Sequence, residues 1–88
     1  MDQTKILNYL LADGWKALRI LILISFPTSK QGREISEIQR RVSLTPEEFH
    51  RILDKLIVYK LCVKHQNLFV QMTPDGKETL AVFKQENV

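Results

Sequence analysis

Cysteine, glycine and long apolar runs are scarce in this chain, and each scarcity closes off a class of protein. The only cysteine, Cys62, has no partner for an intramolecular disulfide and cannot assemble a thiolate zinc site. A reducing, cytoplasmic setting is the expectation that follows. With three glycines in all, no Gly-rich phosphate loop is present. No Ser/His/Asp or Cys/His arrangement carries a supporting signature, so neither an enzyme nor a cofactor is expected. The two histidines, His50 and His65, stand apart and read as solvent-facing or satisfied side chains rather than metal ligands. The longest apolar stretch, Ala17-Leu18, Ile20 to Ile24 and Phe26, is broken by Arg19. It covers about ten residues against the roughly 20 that a bilayer demands, so it reads as a core helix and no membrane partner is expected. Met1-Asp2-Gln3 opens with an acid and lacks the basic start of a secretory signal.

What is present describes an ordinary globular domain. An apolar fraction of 44% with 26% charged residues fits a folded chain, and 88 residues are too few for two cores that each offset chain entropy. One domain spanning residues 1–88 is expected. The net charge of +3 is mild, but its distribution is uneven. Residues 30–44 carry Lys30, Arg33, Arg40 and Arg41 against Glu34 and Glu37, whereas residues 74–88 carry Lys77 and Lys84 against Asp75, Glu78 and Glu86. The positive excess lies mid-chain.

Periodicity predicts the elements. Ile6, Leu7, Leu10 and Leu11 form the stripe of a short helix over residues 3–12 that Asp13-Gly14 interrupts. Asp13 is a good N-cap for a second helix from Trp15 through Phe26, which Pro27 stops; Trp15 reads as a core or interface anchor. Arg33-Glu34-Ile35 is predicted to be extended, and Ser36 to cap a third helix over Glu37 to Val42 with Ile38 and Val42 inward. Thr45-Pro46-Glu47-Glu48 combines a Thr cap, Pro at the first helical position and Glu at the third, a capping box in which hydroxyl and carboxylate each satisfy the other's backbone N–H. The helix it opens should bury Phe49, Ile52, Leu53, Leu56 and Tyr59, leaving Glu47, His50, Arg51, Asp54, Lys55 and Val58 outward. From Leu61 the period becomes two, and the runs on either side of Gln66-Asn67 predict a β-hairpin with a two-residue link. Thr73-Pro74 repeats the cap signature before a last helix whose apolar side is Leu80, Ala81 and Phe83 or Val82.

This order resembles the winged helix-turn-helix family. The segment from Ile35 to Leu56, with a Ser-initiated helix, a Leu44-Thr45 turn and a capped helix with Leu-x-x-Leu spacing at Leu53 and Leu56, looks like the bacterial regulator pattern. Leu61-Cys62-Val63 is similar to the strand that follows it, and Met72-Thr73-Pro74-Asp75-Gly76-Lys77 to the segment leaving the wing in MarR-like and PadR-like regulators. Ser43 and Lys60 stand where that family commonly has glycine, so both bends ask an L residue to take a conformation that suits glycine better. The resemblance implies an α+β, mostly helical fold. Its helix-turn-helix would span about residues 35–60 and its two-stranded wing about 61–73, with helices flanking at both ends.

The resemblance further implies sequence-specific binding of double-stranded DNA by a small transcriptional regulator. The helix after the turn would enter the major groove while the preceding helix and wing touch the backbone. Thr45, Glu47, His50, Arg51 and Asp54 become base-edge or near-backbone candidates, and Arg40, Arg41, Lys55, Lys64 and Asn67 phosphate candidates. Each has an ordinary alternative: Arg40-Arg41 as a solvated helix face, Arg51 paired with Glu47 four residues earlier, Cys62 as an apolar filler. Carboxylates at Glu47 and Glu48 face phosphates poorly, so a protein-interaction module without DNA binding is the alternative function. A homodimer through the first and last helices is expected from the stripes of Ile6, Leu7, Leu10, Leu11 and of Leu80, Phe83; the rival use of those stripes is packing within one chain.

Overall fold

The computed structural model describes residues 3–86; Met1 and Asp2, on which the reading of the N-terminus rests, lie outside the described residues. Seven elements follow in order: α1 (Gln3–Ile24), β1 (Arg33–Glu34), α2 (Ile35–Arg41), α3 (Pro46–Val58), β2 (Cys62–His65), β3 (Phe69–Met72) and α4 (Pro74–Glu86). The fold is mostly helical α+β, four helices with a small antiparallel sheet in the order β1-β3-β2.

The interruption expected at Asp13-Gly14 exists as a kink inside α1. Ala12 is extended, and Asp13, Gly14 and Trp15 all take left-handed φ values of 52°, 70° and 66°. An N-cap residue is extended, so Asp13 is part of the kink and not the cap that its residue type predicts. Nor does Trp15 join the core: it is 56% exposed. The helix also stops at Ile24, short of Phe26, which is 63% exposed.

The sheet has three strands, not the two of the expected hairpin. Arg33 pairs with Val70 and Glu34 with Phe69, and the Ile35 N–H donates to the Leu68 carbonyl at 2.9 Å. Gly32 makes this approach possible. Its φ is 112°, and a Cβ there would lie 2.2 Å from the Val70 carbonyl oxygen. The hairpin ladder closes at His65–Phe69, so the turn holds Gln66, Asn67 and Leu68 rather than two residues. Gln66 and Asn67 are both left-handed, with φ of 56° and 55°, and the Leu68 N–H donates to the His65 carbonyl. This is the conformation that hairpin turns need to match strand twist.

Helix α2 begins two residues earlier than predicted. Glu34 occupies the cap position without a side-chain cap, and Ser36, the expected cap, donates its hydroxyl to the Glu34 carboxylate instead. The capping of α3 is half as predicted. Glu48 N–H donates to Thr45 Oγ1 at 3.2 Å, but the Glu48 carboxylate, which would have turned back on Thr45, accepts from Lys16. The buried face of α3 is as the period of 3.6 requires, with Phe49, Leu53 and Leu56 fully inside and Ile52 and Tyr59 nearly so. Each such side chain contributes roughly 1.5–3 kcal/mol. They meet Leu10, Ile20, Leu21 and Ile24 of α1, Ile38 of α2, Val70 of the sheet and Leu80 of α4 in one cluster. Ala81, predicted to be on the apolar side of α4, is exposed, while Val82 and Phe83 are half-buried.

Helix α3 ends in a Schellman motif. The Lys60 N–H donates to the Ile57 carbonyl and the Leu61 N–H to Leu56, with Lys60 left-handed at φ 63° where glycine is usual. Ser43, by contrast, is not among the left-handed residues, so the α2–α3 bend requires no glycine. Thr73 ties the next corner together. Its hydroxyl donates to the Lys60 carbonyl at 2.6 Å and accepts from the Gly76 N–H at the start of α4. A Cβ on Gly76 would lie 2.1 Å from the Leu61 carbonyl oxygen, so α4 seats directly on this corner.

Candidate nucleic-acid interface

The exposed side of α3 carries Glu47, His50, Arg51, Asp54, Lys55 and Val58. Thirteen residues with three carboxylates, Glu47, Glu48 and Asp54, against Arg51 and Lys55 make an acidic helix when read alone. Its neighbours change that balance. Lys16 Nζ from α1 sits 2.6 Å from Glu48, and Lys64 Nζ from β2 sits 3.5 Å from Asp54. The hydrogen bond to Glu48 raises the pKa of Lys16 above its ordinary value. Glu47 therefore remains the one carboxylate of α3 in no ion pair among the described residues.

The cations of α3 have different surroundings. Lys55 lies over two rings, 5.8 Å from the centre of Tyr9 and 5.4 Å from that of Tyr59, which meet edge to face at 5.6 Å. Burial is the largest cause of the raised Tyr9 pKa, followed by the Tyr59 charge, while the nearby Arg51 charge pulls it down. Arg51 is exposed and, among the described residues, makes no ion pair with Glu47 or any other carboxylate. His50 stands edge-on to Phe49 at 5.3 Å. Thr45 is exposed, but its hydroxyl oxygen already serves the cap.

At the end of α2, Arg41 reaches the Glu37 carboxylate at 3.1 Å, whereas Arg40 is exposed and in no ion pair among the described residues. Glu37 is shared with Arg33, whose guanidinium is buried. Arg33 donates to Glu37 at 2.6 Å and to the Leu23 carbonyl at 2.9 Å, pinning the end of α1 to α2. Of the four cations in residues 30–44, Arg33 is thus a structural tie and not surface charge. Asn67 is exposed at the hairpin tip, and Lys64 on β2 is the point where hairpin and α3 meet.

The structure puts Glu47, His50, Arg51, Asp54 and Lys55 on the exposed side of α3 and brings Lys64 to Asp54, while Asn67 stands in the hairpin turn. Lys16, Tyr9 and Tyr59 belong to the electrostatics of that surface; Lys16 and Tyr9 carry no sequence signal for it, because their partners lie on α3, whereas Tyr59 stands four residues beyond Lys55 at the end of the same helix. Elsewhere, Cys62 is fully buried, and burial pushes its thiol up to about 12. His65 Nε2 lies 2.8 Å from Gln71 Oε1 across the hairpin. Among the described residues no group of His, Cys, Asp and Glu has the arrangement of a metal site, and no helix is long and apolar enough to cross a membrane. An open groove of about 530 Å³ runs between the second half of α1 and the α2–α3 turn.

No family model, curated protein or solved structure matches this chain.

Proposed function

We propose that the chain is a winged helix-turn-helix domain that binds double-stranded DNA sequence-specifically as a small, homodimeric transcriptional regulator. In this reading α3 enters the major groove, with Arg51 on base edges and Thr45, Glu47, His50 and Asp54 beside it. Arg40, Arg41, Lys55, Lys64 and Asn67 face phosphates. The observation that carries the reading is Arg51, exposed and in no ion pair among the described residues, on a helix whose carboxylates at positions 48 and 54 pair with lysines of other elements. A guanidinium that no described carboxylate engages is able to bind guanine O6 and N7 bidentately, for about 1–3 kcal/mol of discrimination. The element order, and a β1 strand that braces the hairpin, support the same fold family.

Duplex binding as a function of salt tests it. With about four phosphate contacts, affinity falls about a hundredfold between roughly 50 and 200 mM salt. Arg51→Ala weakens cognate binding more than non-cognate, and Lys64→Ala weakens both alike; equal effects on both sequences from both changes overturn the role assignment.

A second reading, a protein-interaction module without DNA binding, is favoured by the apolar side chains left exposed on α3 and the hairpin. Val58 is 65%, Leu68 58% and Val63 41% exposed, and phosphates have no use for them. Failure to retain the protein on random duplex at about 50 mM salt selects this reading.

A further inference from the structure

The residues on which a dimer through the first and last helices rests are largely occupied: Ile6, Leu10 and Leu80 are buried in their own chain, and Phe83 packs against the same core. A different surface has both halves of an interface. Trp15 projects into solvent from the α1 kink, where three successive left-handed residues hold it clear of the core. Directly beside it opens the 530 Å³ groove, with Gly14 and Lys16, the neighbours of Trp15, among its walls. The groove is lined by the apolar Ile22, Leu23, Val42 and Leu44 and by the charged Asp13, Lys16, Arg19 and Arg41, of which Lys16 and Arg41 are paired with Glu48 and Glu37.

We propose that this groove receives Trp15 of a second copy of the chain, in a two-fold dimer in which each copy supplies one indole and one groove. Self-complementarity argues for a second copy over a foreign chain. Anchor and receptor are contiguous on one surface, so a single two-fold rotation seats both indoles at once. The chemistry fits as well, since an electron-rich indole face suits the exposed Arg19 guanidinium, which is in no ion pair among the described residues. An aromatic side chain offers about 150–250 Å² and Trp15 has 56% of its surface exposed, so two anchors and the receptor area they cover give roughly 350–550 Å² in total, the size of a weak, reversible contact. The proposal gives the dimer of the reading above its contact surface, and it stands without DNA.

Trp15 is the only tryptophan, so its fluorescence reports the contact directly. Sedimentation equilibrium and emission spectra of the full chain, without DNA, are compared from about 2 to 200 µM, the range in which an interface of this size associates. The expected result is a monomer–dimer transition accompanied by a blue shift of the indole emission. Arg19→Glu and Trp15→Ala each weaken association at least about tenfold, and Arg19→Glu keeps the dilute emission spectrum of the parent. A monomer at every concentration overturns the proposal. So does a dimer in which the Trp15 emission stays unmoved. Because no duplex is present, each of these results leaves the DNA reading untouched.

Discussion

Replacing Lys60 by glycine tests whether the corner after α3 stores backbone strain. Lys60 is the residue beyond the helix cap, held at φ 63° by the two Schellman hydrogen bonds from its own N–H and that of Leu61. An L residue in that region costs about 1–2 kcal/mol relative to glycine. Glycine's greater freedom in the unfolded chain cancels about 0.5–1 kcal/mol of the relief. Lys60→Gly is therefore expected to stabilise the fold by about 0.5–1 kcal/mol, which raises the melting midpoint of a domain this size by about 2–8 °C. The carbonyl that accepts from the Thr73 hydroxyl at 2.6 Å belongs to the backbone and survives the change. Thermal unfolding followed by far-UV circular dichroism measures the effect, with Lys60→Ala as the control that removes the ammonium but keeps the Cβ and the strain. An unchanged or lowered midpoint in Lys60→Gly refutes the reasoning, and an equal gain in Lys60→Ala assigns the effect to charge.

Three further outcomes are expected. Gly76→Ala forces a Cβ toward the Leu61 carbonyl, 2.1 Å away, and must push α4 off the corner, so urea unfolding should show a loss of about 1–3 kcal/mol. Glu37 is held below its ordinary value of 4.5 by hydrogen bonds from Arg33 first and Arg41 second. The unfolded chain then takes up the proton first on acidification, so the contribution of Glu37 is complete above that ordinary value and fades as pH falls through the lower folded one. Glu37→Gln should flatten the acid limb of a stability-against-pH curve, and an acid limb as steep as the parent's excludes Glu37 from it. The Cys62 thiol, buried and pushed up to about 12, should react with an aromatic disulfide reagent only after unfolding; rapid labelling of the native chain contradicts its burial.

Local chemistry was readable in the amino-acid order. The Thr45 and Thr73 caps, the stripe of Phe49, Ile52, Leu53 and Leu56 and the change of period at Leu61 all follow from residues within four positions of one another. That is the range over which backbone hydrogen bonds and side-chain periodicity act. The same locality made the outward face of α3 legible, and with it the exposure of Glu47, His50, Arg51, Asp54 and Lys55.

Tertiary structure decided what those residues face. Lys16 reaches Glu48 across 32 positions and Lys64 reaches Asp54 across 10. These contacts turn a helix that is acidic as a string of letters into one on which two of the three carboxylates are paired while Arg51 is in no ion pair among the described residues. Tertiary structure also placed Arg33 in the interior, added β1 beside the hairpin and left Trp15 outside. None of these follows from composition or period, because each is set by which elements meet. A charge finds its partner, and an indole its cover or its exposure, only once the chain has closed on itself.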